Sequence, residues 1–335
     1  MYQGMLAETV TIAGHQDEEI GAYLARPLGA GPFPGVLVIH HAPGWDAATK
    51  EIARRFAAEG YIAICPNLYH RFGPDLAPDD AAAAARAGGW ISTEQFLGDA
   101  AGALRFLRGM PVSNGKAGSI GYCSGGRQSF LVACELPVDA AVDCYGAFVI
   151  STSPPELPFR MEPVIDRASK MSCPILGLFG AEDKNPSPDE VAQIDAELTR
   201  LGKEHEFHTF EHTGHGFFAV DRPMYRVEAA VQGWRLILDF YGRHLSLERR
   251  MCSYIVEKTA VTGSAKAAGT WTPITDAVVS VDHPYHATLD HALIVDFVNA
   301  GRPVSERVAL ELSVTSAREL VACMQAALDA FVEGS

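Results

Sequence analysis

Basic residues are scarce in this chain: 27 Lys and Arg stand against 41 Asp and Glu over 335 residues, a formal net charge of −14. A field of that sign repels phosphate backbones and anionic lipid, so no nucleic-acid partner is expected. Long apolar runs are also missing. The longest, such as 35–39 and 138–142, fall far below the roughly 18 residues a membrane span needs, and no membrane partner is expected. In the opening MYQGMLAETVTIAGHQDEE no basic segment leads into an apolar run. No secretory signal is read there, and a cytoplasmic location is the expectation. The seven cysteines (Cys65, Cys123, Cys134, Cys144, Cys173, Cys252 and Cys323) are odd in number, widely spread and free of any Cys-x-x-Cys. That excludes a disulfide framework or a zinc knuckle as the organising principle, and no metal or cofactor is expected. Most of them read as reduced, buried small hydrophobes.

What is present is a globular composition, 48% hydrophobic and 20% charged with 31 Gly and 20 Pro. At about 150 residues per domain the length suggests two domains. Residues 5–12 and 20–26 alternate apolar and polar like a pair of half-exposed strands joined by a turn. After them, buried-strand runs alternate with amphipathic stretches. GVLVIHH (35–41) precedes a helix at 50–59, and YIAIC (61–65) ends at a proline. AGSIGYC (117–123) leads into the helix-like QSFLVACEL, followed by VDAAVDCYG (138–146), CPILGLFG (173–180), EHEFHTF (204–210) and a long helix over about 223–244. That order predicts an α/β fold with a mostly parallel sheet flanked by helices. The Ala-rich stretch 81–85 reads as an exposed helix or loop near the functional face.

At 245–251 the charged LSLERRM separates this part from a β-rich remainder, so the division expected is 1–246 and 251–335. The second part reads as a small α+β domain with strands near 252–262, 274–282, 291–298 and 304–314 and a helix over 316–332. That helix is capped by Ser316 and packs Leu320, Val321, Met324, Leu328 and Phe331 against the sheet. Its Asp282-His283-Pro284-Tyr285-His286 segment, with Asp290 and His291 nearby, has metal-donor types. The spacing matches no closed zinc motif, and a solvated loop is the simpler reading. An added sheet offers edges for pairing, so a homodimer through this domain or a lid over the large one are its candidate roles.

Chemistry concentrates at Gly121-Tyr122-Cys123-Ser124-Gly125-Gly126, where a buried strand passes into a helix. Small residues two before and two after Cys123 allow the sharp turn of a nucleophile elbow, with Cys in the place usually held by Ser. An elbow centred on Ser124 would need a small residue where Tyr122 stands. The helix N-terminus beneath Cys123 favours the thiolate. A thiolate that attacks esters needs a base and a group to orient it, and the chain offers both in the order Cys, acid, His. Asp183 follows the strand CPILGLFG, and His215 lies in Thr213-Gly214-His215-Gly216-Phe217 before the last long helix; Glu182 and His212 are the local alternatives. The oxyanion hole is expected from the backbone N–H groups of Ser124 and Ala42. Two imidazoles, His40 and His41, sit at the mouth of the same loop. A hydrogen-bonded core role is the simpler reading for His40, whereas for His41 structural and functional roles balance.

These residues resemble the dienelactone hydrolases (carboxymethylenebutenolidases) of the α/β-hydrolase superfamily, over about 5–245. The resemblance rests on G-Y-C-S-G-G at 121–126, GYIAICPNLYHR at 60–71, Asp183, and G-H-G-F at 214–217. It implies an α/β-hydrolase fold and carries the family's nucleophile, acid and base onto Cys123, Asp183 and His215. Family members commonly place an acidic residue beside the resting nucleophile, where this chain has His41. An imidazole there would stabilise the thiolate directly. Members that open dienelactone hold its carboxylate with arginines, one of them four residues after the catalytic His, a place taken here by Ala219; Arg86 is the candidate for another.

Without that clamp, an apolar pocket lined by Trp45, Tyr69, Trp90, Tyr145 and Phe218 is expected, taking neutral esters or lactones and also activated phosphotriesters. A thiol-based binding or redox-sensing protein on the same shell is the rival reading. The opening and the D-H-P-Y-H segment of the C-terminal part resemble a small uncharacterised bacterial family, which implies no function.

Overall fold

A computed structural model describes residues 4–73, 75–157, 160–245, 256–267, 270–282, 287, 292–299 and 308–333. It divides into two compact units, Met1–Leu247 and Glu248–Ser335.

In the first unit β1 (Met5–Ala13) and β2 (Glu19–Pro27) form the antiparallel hairpin that their alternation predicts. The remaining strands are β3 (Phe33–Ile39), β4 (Ile62–Pro66), β5 (Ser113–Tyr122), β6 (Ala140–Cys144), β7 (Ile175–Gly180) and β8 (His205–Phe210). Together they make one eight-stranded sheet in the order β1-β2-β4-β3-β5-β6-β7-β8. From β4 to β8 every neighbouring pair is parallel.

Six helices cover the sheet: α1 (Ala47–Ala58), α2 (Pro78–Ala87), α3 (Thr93–Gly109), α4 (Ser124–Glu135), α5 (Pro188–Arg200) and α6 (Val227–Leu245). One core lies between the sheet and α2, α3, α4 and α5, the other between the sheet and α1 and α6. This explains the unbroken apolar runs, because a strand covered on both faces has no polar side to alternate with. The chain leaves β3 to form β4 on one side and later β5 on the other, which opens a crevice at the C-terminal ends of β3 and β5. The loop of Ala42 and the turn of Cys123 lie there.

Two details differ from expectation. Residues 81–85 belong to α2, and Ala81, Ala82 and Ala85 are buried. Their spacing places three small side chains on one helical face, which lets α2 approach Tyr69 and Trp90 in the core instead of lying open. The last helix starts at Val227, after turns closed by Arg222 N–H on Ala219 O and Tyr225 N–H on Arg222 O.

The second unit is a four-stranded antiparallel sheet ordered β12-β11-β10-β9, from β9 (Val256–Ala267), β10 (Thr270–Asp282), β11 (Ala292–Val298) and β12 (Val308–Leu312). It is followed by α7 (Val314–Glu333). The cap is Ser313, whose Oγ accepts the Ser316 N–H at 3.1 Å, so Ser316 lies inside the helix. The row Leu320, Val321, Met324, Leu328 and Phe331 is exposed, with Ala317 buried instead, which corrects the expectation that this face packs on the sheet. The segment with His283, Tyr285, His286, Asp290 and His291 lies outside the described residues. Among the described residues no group of His, Cys, Asp or Glu is placed to hold a metal ion, and no helix is long and apolar enough to cross a membrane.

Candidate functional site

Cys123 closes β5 and caps α4 with φ 56° and ψ −120°, a left-handed backbone that an L-residue adopts only under constraint. The constraint is visible in its neighbours. A Cβ on Gly121 would sit 1.9 Å from Gly125 O, and one on Gly125 would sit 2.4 Å from Ile39 O. The chain therefore folds back on itself too tightly for any side chain at either place. Cys123 N–H donates to Cys144 O at 3.0 Å, which ties the turn to β6.

Asp183 follows β7 and is 5% exposed. Its Oδ1 accepts the Asn185 N–H at 2.9 Å and its Oδ2 lies 2.8 Å from His215 Nδ1. Cys123 lies close enough to act on the His215 imidazole. Burial alone would lower the His215 pKa. The hydrogen bonds and charges of Asp183 and Cys123 outweigh it and raise the pKa to about 10. The Tyr145 ring packs edge-on against the imidazole, with ring centroids 5.0 Å apart. The structure thus brings Cys123, His215 and Asp183 together, whereas Glu182 and His212 form an exposed pair of their own at 3.8 Å.

The loop after β3 is anchored from below. His40 Nε2 accepts the Leu68 N–H at 3.3 Å, which leaves Nδ1 to donate to His41 O at 2.9 Å. Burial pushes the His40 pKa down to about 4, so it is a neutral structural imidazole. The Tyr69 phenol donates to Ala42 O at 3.0 Å and fixes the orientation of that peptide. His41 Nε2 pairs with Asp46 Oδ2 at 2.6 Å. Asp46 also caps α1 through the Thr49 N–H. Its carboxyl stays below the usual carboxylate range: burial opposes this, but the His41 hydrogen bond and charge prevail. Asp46 therefore ties the loop after β3 to the start of α1 through His41 and Thr49.

Two cavities flank the elbow. On the side of α1 and α6, one is lined by His41, Ile52, Tyr122, Tyr145, Phe218 and Trp234 among others and is mainly apolar. On the opposite side, a cavity of about 350 Å³ is lined by Trp90, Ser124, Arg127, Gln128, Arg160 and Arg167 among others. Tyr145 and Phe218 line the apolar cavity, whereas Trp90 lines the other one. Trp45, Tyr69 and Arg86 line neither cavity. Trp45 is held by its indole N–H on Cys65 O at 2.9 Å, and Arg86 acts electrostatically on Tyr69. Long aromatic side chains near a site serve as well to fix loops as to face substrate, which residue type alone cannot distinguish.

Sequence reasoning also passed over Asp143. It is 2% exposed at the end of β6, and its Oδ1 accepts the Gly146 N–H at 2.7 Å. Its only signal was the second of two acids in the run VDAAVDCYG, the one flanked by apolar residues on both sides.

Comparison with known proteins agrees with the fold. Residues 251–335 match a family of unknown function. Carboxymethylenebutenolidases of Pseudomonas putida and Pseudomonas knackmussii are each 30% identical over 242 residues, covering 70% of this chain and 96% of theirs. The crystal structure of a Klebsiella pneumoniae protein superposes with a TM-score of 0.61 at 28% identity, over 72% of this chain and all of that one. A dienelactone hydrolase-like promiscuous phosphotriesterase from metagenomic libraries shares the fold, with a TM-score of 0.60 at 20% identity over 72% of this chain and 99% of that one. Residues 20–245 match the dienelactone hydrolase family; the chain belongs to it and is a hydrolase acting on ester or lactone bonds.

Proposed function

We propose that the chain is a cysteine-dependent hydrolase of neutral esters or lactones that works through a covalent enzyme intermediate. The observation that carries this reading is the gathering of Cys123, His215 and Asp183 from three separate loops, with His215 Nδ1 2.8 Å from Asp183 Oδ2 and Cys123 close enough to act on the imidazole. The raised His215 pKa favours an imidazolium in the resting site, with a proton to give. The thiolate attacks the carbonyl carbon, and the tetrahedral oxyanion is held by the N–H groups of Ser124 and Ala42. His215 gives its proton to the departing alkoxide and leaves an acyl thioester. It then takes a proton from water, which attacks the thioester and expels the thiolate. Asp183 fixes the tautomer and steadies the imidazolium. The apolar cavity bounded by Tyr122, Tyr145, Phe218 and Trp234 suits the uncharged part of such a substrate. His41 faces the same cavity and would support the thiolate only as part of its pair with Asp46.

Intact-protein mass spectrometry with p-nitrophenyl esters and a paraoxon-like phosphotriester, with product release followed in parallel, tests this. An adduct on Cys123 that turns over is expected, and it is lost in Cys123→Ala. An adduct that persists, or no product from any ester, overturns the hydrolytic reading in favour of a binding or redox-sensing thiol. For the second unit we propose self-association into a homodimer, supported by the exposed apolar row on α7.

A further inference from the structure

The backbone N–H of Ala42 belongs to the same peptide unit as the carbonyl of His41. That unit is trans, so its N–H and its C=O point in opposite directions. Whatever fixes His41 O therefore also aims Ala42 N–H. Two donors converge on that oxygen, His40 Nδ1 at 2.9 Å and Gly44 N–H at 2.9 Å. Ala42 N–H itself is half-buried and meets no acceptor among the described residues.

The imidazole of His40 can only donate at His41 O. Leu68 N–H takes Nε2 as its acceptor at 3.3 Å, so the ring proton sits on Nδ1. A second proton would break the Leu68 bond, and burial, which lowers the His40 pKa to about 4, keeps it off. The His40 side chain is 2% exposed, and the Tyr69 ring packs edge-on against it with centroids 4.6 Å apart. The Tyr69 phenol meanwhile secures the next peptide at Ala42 O.

We infer that His40 is the positioning residue of the oxyanion hole: its Nδ1–H holds the His41–Ala42 peptide so that Ala42 N–H faces the oxygen of the tetrahedral intermediate. A hydrogen bond on the carbonyl also polarises the peptide and makes its N–H a stronger donor. His40 acts through the backbone and not on the substrate. This role rests on the hydrolase reading, but an adduct that mimics the oxyanion reports on it without turnover.

Two substitutions separate the two ring nitrogens. Asn places an amide N–H near the position of Nδ1 and loses the acceptor for Leu68, whereas Gln places an amide oxygen near Nε2 and loses the donor to His41 O. In His40→Gln, kcat for 4-nitrophenyl valerate should fall at least about tenfold with KM unchanged, a part of what loss of an oxyanion donor costs. His40→Asn should stay within about threefold of wild type, although it unfolds at a lower urea concentration than His40→Gln. Activity that follows stability instead, with the Asn variant the slower, overturns the positioning role and leaves the hydrolase reading standing. A wild-type kcat in His40→Gln does the same.

The second measurement uses 1,1,1-trifluoroheptan-2-one. The Cys123 thiolate adds to its carbonyl carbon, a C–S bond forms, and the carbonyl π pair becomes an oxyanion in the hole; fluorine NMR reads the bound fraction. Its affinity should drop about tenfold in His40→Gln and return in His40→Asn. Alkylation of Cys123 by iodoacetamide, in which sulfur displaces iodide and no oxyanion forms, should run at the wild-type rate in both. No adduct with wild type, unchanged affinity in His40→Gln, or alkylation slowed as much as adduct formation overturns the role even in a protein that hydrolyses no ester.

Discussion

Asp143 carries a carboxyl that burial pushes from 3.8 up to about 7, against the pull of the Gly146 hydrogen bond and of charge on His215. Between about pH 4 and 7 the unfolded chain releases a proton that the folded chain keeps. This group therefore lowers stability as pH rises through that window and adds a constant cost above it, on the order of 4 kcal/mol at most. Asp143→Asn keeps an oxygen for the Gly146 N–H and removes the charge. Its urea midpoint should match wild type near pH 4 and exceed it at pH 8, and coincident midpoints at pH 8 would refute this account. Asp183→Asn should fold normally and lose roughly 10⁴-fold in kcat, because the amide stabilises the wrong tautomer of His215; steady-state kinetics on a p-nitrophenyl ester would show it. Cys123, Asp183 and His215 were legible in the sequence because each sits in a local pattern at a strand end. Asp46 was not, since what makes it matter is the imidazole that it meets.

At the scale of elements, the β5–α4 turn is among the tightest constraints in the fold. Gly121→Ala would drive a Cβ into Gly125 O, which is backbone and cannot yield. The expected loss is about 3 kcal/mol or more in chemical denaturation, with activity falling further than the folded fraction because the Cys123 backbone must shift. Gly242→Ala is the contrasting case: within α6 its new Cβ meets nothing within 4 Å. It should stabilise the chain by roughly 0.5–1 kcal/mol, read as a higher melting temperature. Strands covered on both faces and the opening hairpin were legible because periodicity reports burial directly. The buried face of α2 escaped notice because alanine carries little hydrophobic signal, although its small size is what allows the close approach. Nor could the Ser124-side cavity be read in advance, since its arginines come from segments more than 30 residues apart and meet only when β6 places the later segment against α4.

At the scale of the whole molecule, the net charge of −14 keeps copies of the chain apart at long range. The face of α7 works the other way at short range. Leu320, Val321, Met324 and Leu328 lie on one side of that helix and are 42%, 63%, 58% and 60% exposed. A row of that kind ordinarily marks a contact surface. A two-fold axis near Met324 would set Leu320 of one copy against Leu328 of the other. An apolar row of this kind can face a second copy of itself, as a closed pair requires. Sedimentation equilibrium at tens of micromolar should therefore return about twice the chain mass of 36.0 kDa, and the combined Met324→Glu and Leu328→Glu variant should return a single chain. Ester turnover per Cys123 should be the same for both, because these substitutions leave Cys123, Asp183 and His215 unaltered. A wild-type protein that sediments as one chain, or a variant that still pairs, would rule out α7 as the seam.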